Sequence, residues 1–317
     1  MDIPHITNQH IRKHIRLSDV VGALETALQT EVDPSQDFPR SFYQLDDERR
    51  MLFMASQTHG WVGAKIMSVN DRNPARNVDR AQGLYVLMDA ETTTPRAIID
   101  GDDLTDLRTA AMTSLVTSRF VNRDSRNVVM YGYGAQARKH AEVLRQLHPQ
   151  LKQLVIAGRN ASKVEMFAAT AAELGWNARI GQAMPPTTAI PQADLIITAT
   201  GSGEPLFDGS LVRPGALVIA LGSHTDTRSE LDTALIARSN VIVEDIDTAI
   251  NESGEIAIAL AEGAITRDDL IPVRDVVRGD VRIDRSRPTV YKTVGMPWQD
   301  LAVASEIFQR LPSTALR

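Results

Sequence analysis

The stretch that most limits what this chain can become is Asn127-Val-Val-Met-Tyr131, which passes directly into Gly132-Tyr133-Gly134-Ala135-Gln136-Ala137. An apolar strand that runs at once into G-x-G-x-x-A predicts the strand-to-helix turn of a dinucleotide-binding βαβ unit. Gly132 permits the tight turn, and Gly134 lets the backbone approach a pyrophosphate. Ala137 is small enough for the helix to pack on the strand. A helix opening at Ala135 then offers backbone N–H groups and a partial positive charge to the phosphates. Tyr133, Ala135 and Gln136 belong to the same expected cofactor contact.

The neighbouring sequence supports that context. Leu154–Ala157, Asp194–Thr198, Ala216–Leu221 and Asn240–Val243 are continuous Val/Ile/Leu-rich runs. Helical patterns alternate with the earlier ones, including Val164, Phe167, Ala168, Ala171 and Leu174. A parallel sheet covered on both faces requires such runs. Before Asp106 the rhythm differs. One helix, with Ser18 as its expected cap, carries Val20, Val21, Leu24, Ala27 and Leu28. Short strand-like runs follow at Met51–Met54, Trp61–Ile66 and Gly83–Met88, separated by turn-forming Asn/Asp/Pro/Thr clusters. At 317 residues the chain exceeds what one core usually accommodates. We therefore expect an α/β protein with a Rossmann-type doubly wound parallel sheet over 113–287. An α+β domain is expected from 1–112, completed by the C-terminal segment 288–317 with its last helix near Trp298–Leu311.

The strand after the glycine motif selects the cofactor. An NAD site carries an acid roughly 20 residues on, which accepts from the ribose 2′-OH. Here the strand ends in Gly158-Arg159-Asn160-Ala161-Ser162-Lys163, with no acid at its tip. A guanidinium at Arg159 matches a 2′-phosphate, with Asn160, Ser162 and Lys163 assisting, so NADP (as NADPH) is expected and NAD remains possible. Other chemistries are excluded by composition. The absence of cysteine removes disulfides, thiolate catalysis and Cys-based zinc sites, and no metal-ligand spacing occurs. A net charge of −6 without a basic stripe argues against nucleic acid. No secretory pattern opens the chain and no apolar run spans a bilayer, so a cytoplasmic protein without membrane association is expected.

Several separated segments, Arg108-Thr-Ala-Ala111, Gly132–Ala137, Leu221–Asp232 and Tyr291-Lys-Thr-Val-Gly295, resemble in that order the ornithine cyclodeaminase/mu-crystallin family. Pro205-Leu-Phe207 and Arg213-Pro-Gly215 add to the likeness, which runs from about Pro39 to Leu301. The resemblance implies a homodimer joined through the first domain, an active site in the cleft between domains, and a small amino or imino acid substrate. It also implies residue roles. Arg40 and Arg108 would bind the substrate carboxylate, and Lys65 would stand beside the reacting carbon. Thr109, Thr200 and the Val294-Gly295 turn would lie on the cofactor side. Paired arginines suit a 2-imino or 2-keto acid, because a held carboxylate aims the adjacent carbon.

One departure bears on the reaction. Ornithine cyclodeaminases and some dehydrogenases of this family carry an Asp two residues after the loop glycine, and counting from Gly222 that position is His224, with Asp226 two residues further. A histidine exchanges protons near neutral pH but does not give a fixed negative charge for an ammonium group. The expectation is therefore NADPH-dependent reduction of a small 2-imino acid, such as pyrroline- or piperideine-2-carboxylate, with Lys65 beside the reacting carbon and His224, or Asp226 beside it, supplying the proton. Alanine-dehydrogenase-like reductive amination and ornithine or lysine cyclodeamination are the nearest alternatives. A non-enzymatic NADPH-binding protein is the alternative of another class.

Overall fold

The computed structural model describes residues 3–58, 60–181 and 186–315. In chain order the strands are β1 (His5–Ile6), β2 (Ser41–Gln44), β3 (Arg49–Gln57), β4 (Trp61–Asn70), β5 (Ala81–Asp89), β6 (Pro95–Asp100), β7 (Asn127–Tyr131), β8 (Gln153–Ala157), β9 (Asn177–Ile180), β10 (Leu195–Thr198), β11 (Leu217–Ala220), β12 (Asn240–Val243), β13 (Leu270–Pro272) and β14 (Thr289–Lys292). The α-helices are α1 (Asn8–His14), α2 (Leu17–Thr26), α3 (Gly101–Phe120), α4 (Ala135–Leu147), α5 (Ala161–Glu173), α6 (Pro186–Ala189), α7 (Thr233–Ala237), α8 (Ile246–Glu252), α9 (Gly254–Ala261), α10 (Val273–Arg278) and α11 (Pro297–Arg310). They form two compact units, Met1–Ala111 with Gly295–Arg317, and Met112–Val294.

The first unit holds a six-stranded sheet in the order β1-β6-β5-β4-β3-β2, antiparallel except for the parallel β1–β6 pair. Alternation along β4 and β5 turns Gly63, Lys65, Met67, Tyr85 and Leu87 to the buried face. Helix α11 packs against β3, β4 and β5 on that side and against α2. Its apolar stripe of Trp298, Leu301, Val303, Ala304 and Ile307 is buried. The opposite strand positions leave Tyr43, Ile66 and Leu84 exposed by 58%, 41% and 45%, an apolar outer face. One sequence expectation fails here. Helix α2 starts at Leu17 with Arg16 as its cap, so Ser18 lies inside the first turn, and Arg16 bonds Asp19 there through its guanidinium.

The second unit holds eight parallel strands in the order β13-β12-β14-β11-β10-β7-β8-β9. Strands β10, β11, β12 and β14 are buried at every position, as a sheet covered on both faces demands. The boundary differs from the one expected at 288. Strand β14 hydrogen-bonds between β11 and β12 and places residues up to Val294 in this unit. Among the described residues no helix is long and apolar enough to cross a membrane.

Candidate active site

Parallel register lines up Ala157, Tyr131, Thr198, Ala220, Lys292 and Val243 at the carboxyl ends of their strands. Ligands of open α/β sheets bind at this edge, where the strand order reverses. The reversal lies between β7 and β10, next to the glycine motif. Gly132 has φ +113°, and a Cβ there would stand 2.3 Å from the Ala199 carbonyl oxygen, so only glycine makes the turn. Gly134 caps α4 with ordinary extended backbone (φ −76°), and a Cβ added to it meets nothing within 4 Å. No side chain caps this helix and its first turn carries no acid. An open cradle at an uncapped helix N-terminus fits the pyrophosphate of a dinucleotide.

The tip of β8 is built around Tyr133, whose ring fills the space that a side chain at Gly158 would need, with the Lys163 ammonium 5.9 Å from the ring centre. Arg159 is exposed, and no carboxylate pairs with it among the described residues. Asn160 caps α5, and its side-chain oxygen accepts the Lys163 N–H at 3.0 Å. Ser162 is exposed in the first turn of that helix.

Thr200 does not stand alone at the end of β10. Its N–H and hydroxyl donate to Glu230 Oε1 at 2.8 and 2.6 Å, while Gly222 N–H donates to Oε2 at 2.8 Å and the Thr198 hydroxyl to the same oxygen. Both oxygens of the fully buried Glu230 side chain accept a backbone N–H. Lys292, also buried, donates to the Ser223 carbonyl at 2.8 Å and pairs with Glu255 at 3.3 Å. Glu255 in turn accepts the Glu230 N–H at 2.8 Å. Glu244 accepts the Thr293 hydroxyl and the Val294 N–H at 2.8 and 2.9 Å. Sequence reasoning missed these four groups. His224 and Asp226, by contrast, are exposed on the loop that Glu230 and Lys292 anchor.

In the first unit, side chains from four separate segments converge. Lys65, 1% exposed, donates to Asp300 Oδ2 at 2.7 Å and to the Thr105 hydroxyl at 3.2 Å. Asp300 is fully buried, and its Oδ1 accepts from Arg108 Nε at 3.2 Å. Arg108 Nη1 donates to Gln299 Oε1 at 2.7 Å. Arg40 Nη1 donates to the Gly295 carbonyl at 2.9 Å. Gly295, at φ +80°, lies so close to Arg108 that a Cβ would stand 2.6 Å from Nη1. Lys65, Arg108 and Arg40 are thus linked through Asp300 and Gly295. Thr109 sits one residue on from Arg108, with its hydroxyl donated to the Thr105 carbonyl at 2.7 Å.

Electrostatics make the cluster unlike an ordinary core. Burial, opposed by Asp300, pushes the Lys65 ammonium down from 10.5 to about 8. Asp37 accepts the Trp298 N–H at 2.7 Å at the start of α11, and burial raises its carboxyl to about 6. An acid is favourable at a helix N-terminus, and this one ties the segment that leads to Arg40 to the helix that carries Gln299 and Asp300. Tyr85, directly opposite Lys65 in the sheet, is buried with no partner for its hydroxyl among the described residues. Asp37, Tyr85, Gln299 and Asp300 were not expected from the sequence.

Comparison with known proteins identifies the family. The profile of the Ornithine cyclodeaminase/mu-crystallin family matches residues 5–315. A Delta(1)-pyrroline-2-carboxylate reductase of Colwellia psychrerythraea is 30% identical over 233 residues, 71% of this chain and 72% of that protein. The Thermococcus litoralis Delta(1)-pyrroline-2-carboxylate reductase, solved in complex with NADH and L-proline, superposes with a TM-score of 0.90 at 21% identity over 99% of each chain. An archaeal alanine dehydrogenase dimer with bound NAD gives 0.87 at 22% identity, over 99% of this chain and 97% of that one.

Proposed function

The chain belongs to the ornithine cyclodeaminase/mu-crystallin family, and from that premise we propose that it is an NADPH-dependent reductase of a small 2-imino acid. The observation that carries the reading is the buried Lys65–Asp300–Arg108 cluster beside Arg40. Two cations share one carboxylate there, a surplus of one positive charge that a substrate carboxylate neutralises. Arg108, with Arg40 on the other side of Gly295, orients that carboxylate and with it the adjacent C=N carbon. Gly132, Gly134 and the N-terminus of α4 hold the pyrophosphate, and Arg159 meets the 2′-phosphate. The chemistry that a bound reduced nicotinamide would supply is a hydride for the imine carbon. As the C=N electron pair collects on nitrogen, the Lys65 ammonium gives that nitrogen its proton and is later reprotonated from solvent. An ammonium poised near 8 is charged at neutral pH yet acidic enough to donate. His224 and Asp226, exposed on their loop, serve proton exchange with water.

The apolar outer face of the six-stranded sheet, with Tyr43, Ile66 and Leu84 exposed, takes a second copy of the chain. The family relation and the dimeric alanine dehydrogenase neighbour support that assembly. A mass near 34.8 kDa by light scattering at micromolar concentration rules it out.

The decisive assay follows NADPH oxidation with pyrroline-2-carboxylate, piperideine-2-carboxylate, and 2-keto acids plus ammonia, alongside ornithine with catalytic NAD+. Turnover of a cyclic imine is expected. Efficient ornithine-to-proline conversion would replace the reductase reading with cyclodeamination. Cofactor binding without any turnover would make the chain a binding protein.

A further inference from the structure

Helix α11 places one carboxylate between two cations, and the groups around Lys65 define what that carboxylate does. Facing the ammonium are Asp300 from α11, Arg108 and Thr105 from α3, Tyr85 from β5 and Arg40 ahead of β2, with Asp37 close to Asp300 at the start of α11. Among the described residues Asp300 is the one carboxylate bonded to Lys65, and it gives the other oxygen to Arg108. We propose that Asp300 is a positioning residue that keeps Lys65 in its ammonium form and couples that charge to the carboxylate-binding guanidinium of Arg108. Burial, Arg108 and Arg40 all favour the neutral amine, and Asp300 alone opposes them. Each cation therefore weakens the other's hold on the shared anion, and a substrate carboxylate that engages Arg108 releases more of Asp300 to Lys65. The proton donor is thereby most firmly charged when substrate is present.

For turnover this matters only if Lys65 donates the proton as proposed above, whereas the titration of Lys65 is followed without any substrate. The chain has six lysines, so full-length protein labelled with 13C and 15N lysine gives a readable spectrum, with Lys65 assigned by its loss in Lys65→Arg. Asp300→Asn removes the charge while keeping the shape, and its Lys65 midpoint should fall by between about one and three pH units, tenfold or more in proton affinity. Asp300→Glu should restore most of that fall. Arg108→Gln should move the midpoint upward while Arg108→Lys, which keeps the positive charge, leaves it near the wild-type value; a general loosening of the core, which relieves the burial of Lys65, would raise it in both. The alkaline limb of kcat/KM should follow each shift. An unmoved or higher midpoint in folded Asp300→Asn overturns the proposal, as does an unmoved or lower one in Arg108→Gln. If Asp300→Asn does not fold, the contrast between Arg108→Gln and Arg108→Lys decides, and equal midpoints in the two overturn the proposal. Failure of the wild type to reduce imines would remove the reductase reading and leave the titration result standing.

Discussion

Gly132 and Gly134 stand two residues apart in one motif, yet the structure gives them opposite vulnerabilities. At Gly134 the backbone suits any residue and a Cβ meets nothing within 4 Å. Gly134→Ala should leave folding untouched, or raise stability by about 0.4–1 kcal/mol through the smaller entropy of the unfolded chain. Its methyl group instead enters the space through which a pyrophosphate approaches the N-terminus of α4. Displacing the phosphate from one charge-assisted N–H bond costs roughly 1.5–3 kcal/mol, which is about 10- to 150-fold in affinity. At Gly132 the same substitution forces a side chain into φ +113° and within 2.3 Å of the Ala199 carbonyl. The strain alone is of order 1–3 kcal/mol, and the backbone must also shift. Thermal melts without cofactor and calorimetric titration with NADPH separate the two quantities. Gly134→Ala should keep its Tm and lose affinity; Gly132→Ala should lose Tm, by about 2–4 °C for each kcal/mol in a chain of this order of size. Affinity within twofold of wild type in Gly134→Ala would refute the placement of the cofactor on this motif.

Three further outcomes follow from named groups. Arg159→Ala should weaken NADPH more than NADH, at the lower end of the range for a charged hydrogen bond because the residue is exposed; equal losses in parallel titrations would show that it does not read the 2′-phosphate. Lys65→Met should abolish imine reduction while NADPH titrates normally, and wild-type kcat/KM should fall as pH rises through about 8; a flat profile to pH 9.5 or so would exclude the lysine as donor. Buried His140, bonded to Thr113 and Gln136, is held neutral by burial, down at about 4, so stability present above its unfolded value of 6.5 is lost as pH falls from there towards 4, roughly 3 kcal/mol at the end; His140→Gln should flatten that limb of denaturant stability, and parallel curves would refute the assignment.

Local chemistry made the glycine turn and the strand β7 legible, because both are encoded within eleven consecutive residues, Asn127–Ala137. Lys65 was recognised through family likeness, but a physical signal was also present. Period-two alternation in β4 puts it on the same face as Gly63 and Met67, where a solvated lysine does not belong. Asp300 carries the matching signal, an acid inside the buried stripe of α11. The pairing itself was not legible, since 235 residues separate the two and no local pattern reports which buried charges meet. The same limit hid Asp37, which reads as a loop acid and acts as a helix-terminal anchor. Strand β14 escaped because its four residues, Thr-Val-Tyr-Lys, make a short run ending in a charge, and its position between β11 and β12 is settled by hydrogen bonds to distant segments.

Buried charge in this chain sits where backbone must be fixed without closing off side chains. Leaving a buried polar group unsatisfied is costly, and the Glu230 oxygens are satisfied by N–H groups from Thr200 and Gly222 and hydroxyls from Thr198 and Thr200. Those bonds tie the end of β10 to the start of the loop after β11. Lys292 then fixes the Ser223 carbonyl from β14, and Glu255 fixes Glu230 from α9. The backbone at both ends of the loop is held from inside, and its middle, with His224 and Asp226, stays exposed. Side chains on such a loop keep their contact with water while their backbone follows a defined path, and a frame of buried acidic side chains gives both. In the first unit the roles are reversed. Lys65 and Arg108 are themselves buried, and it is their shared anion Asp300 that lets two cations persist in the core.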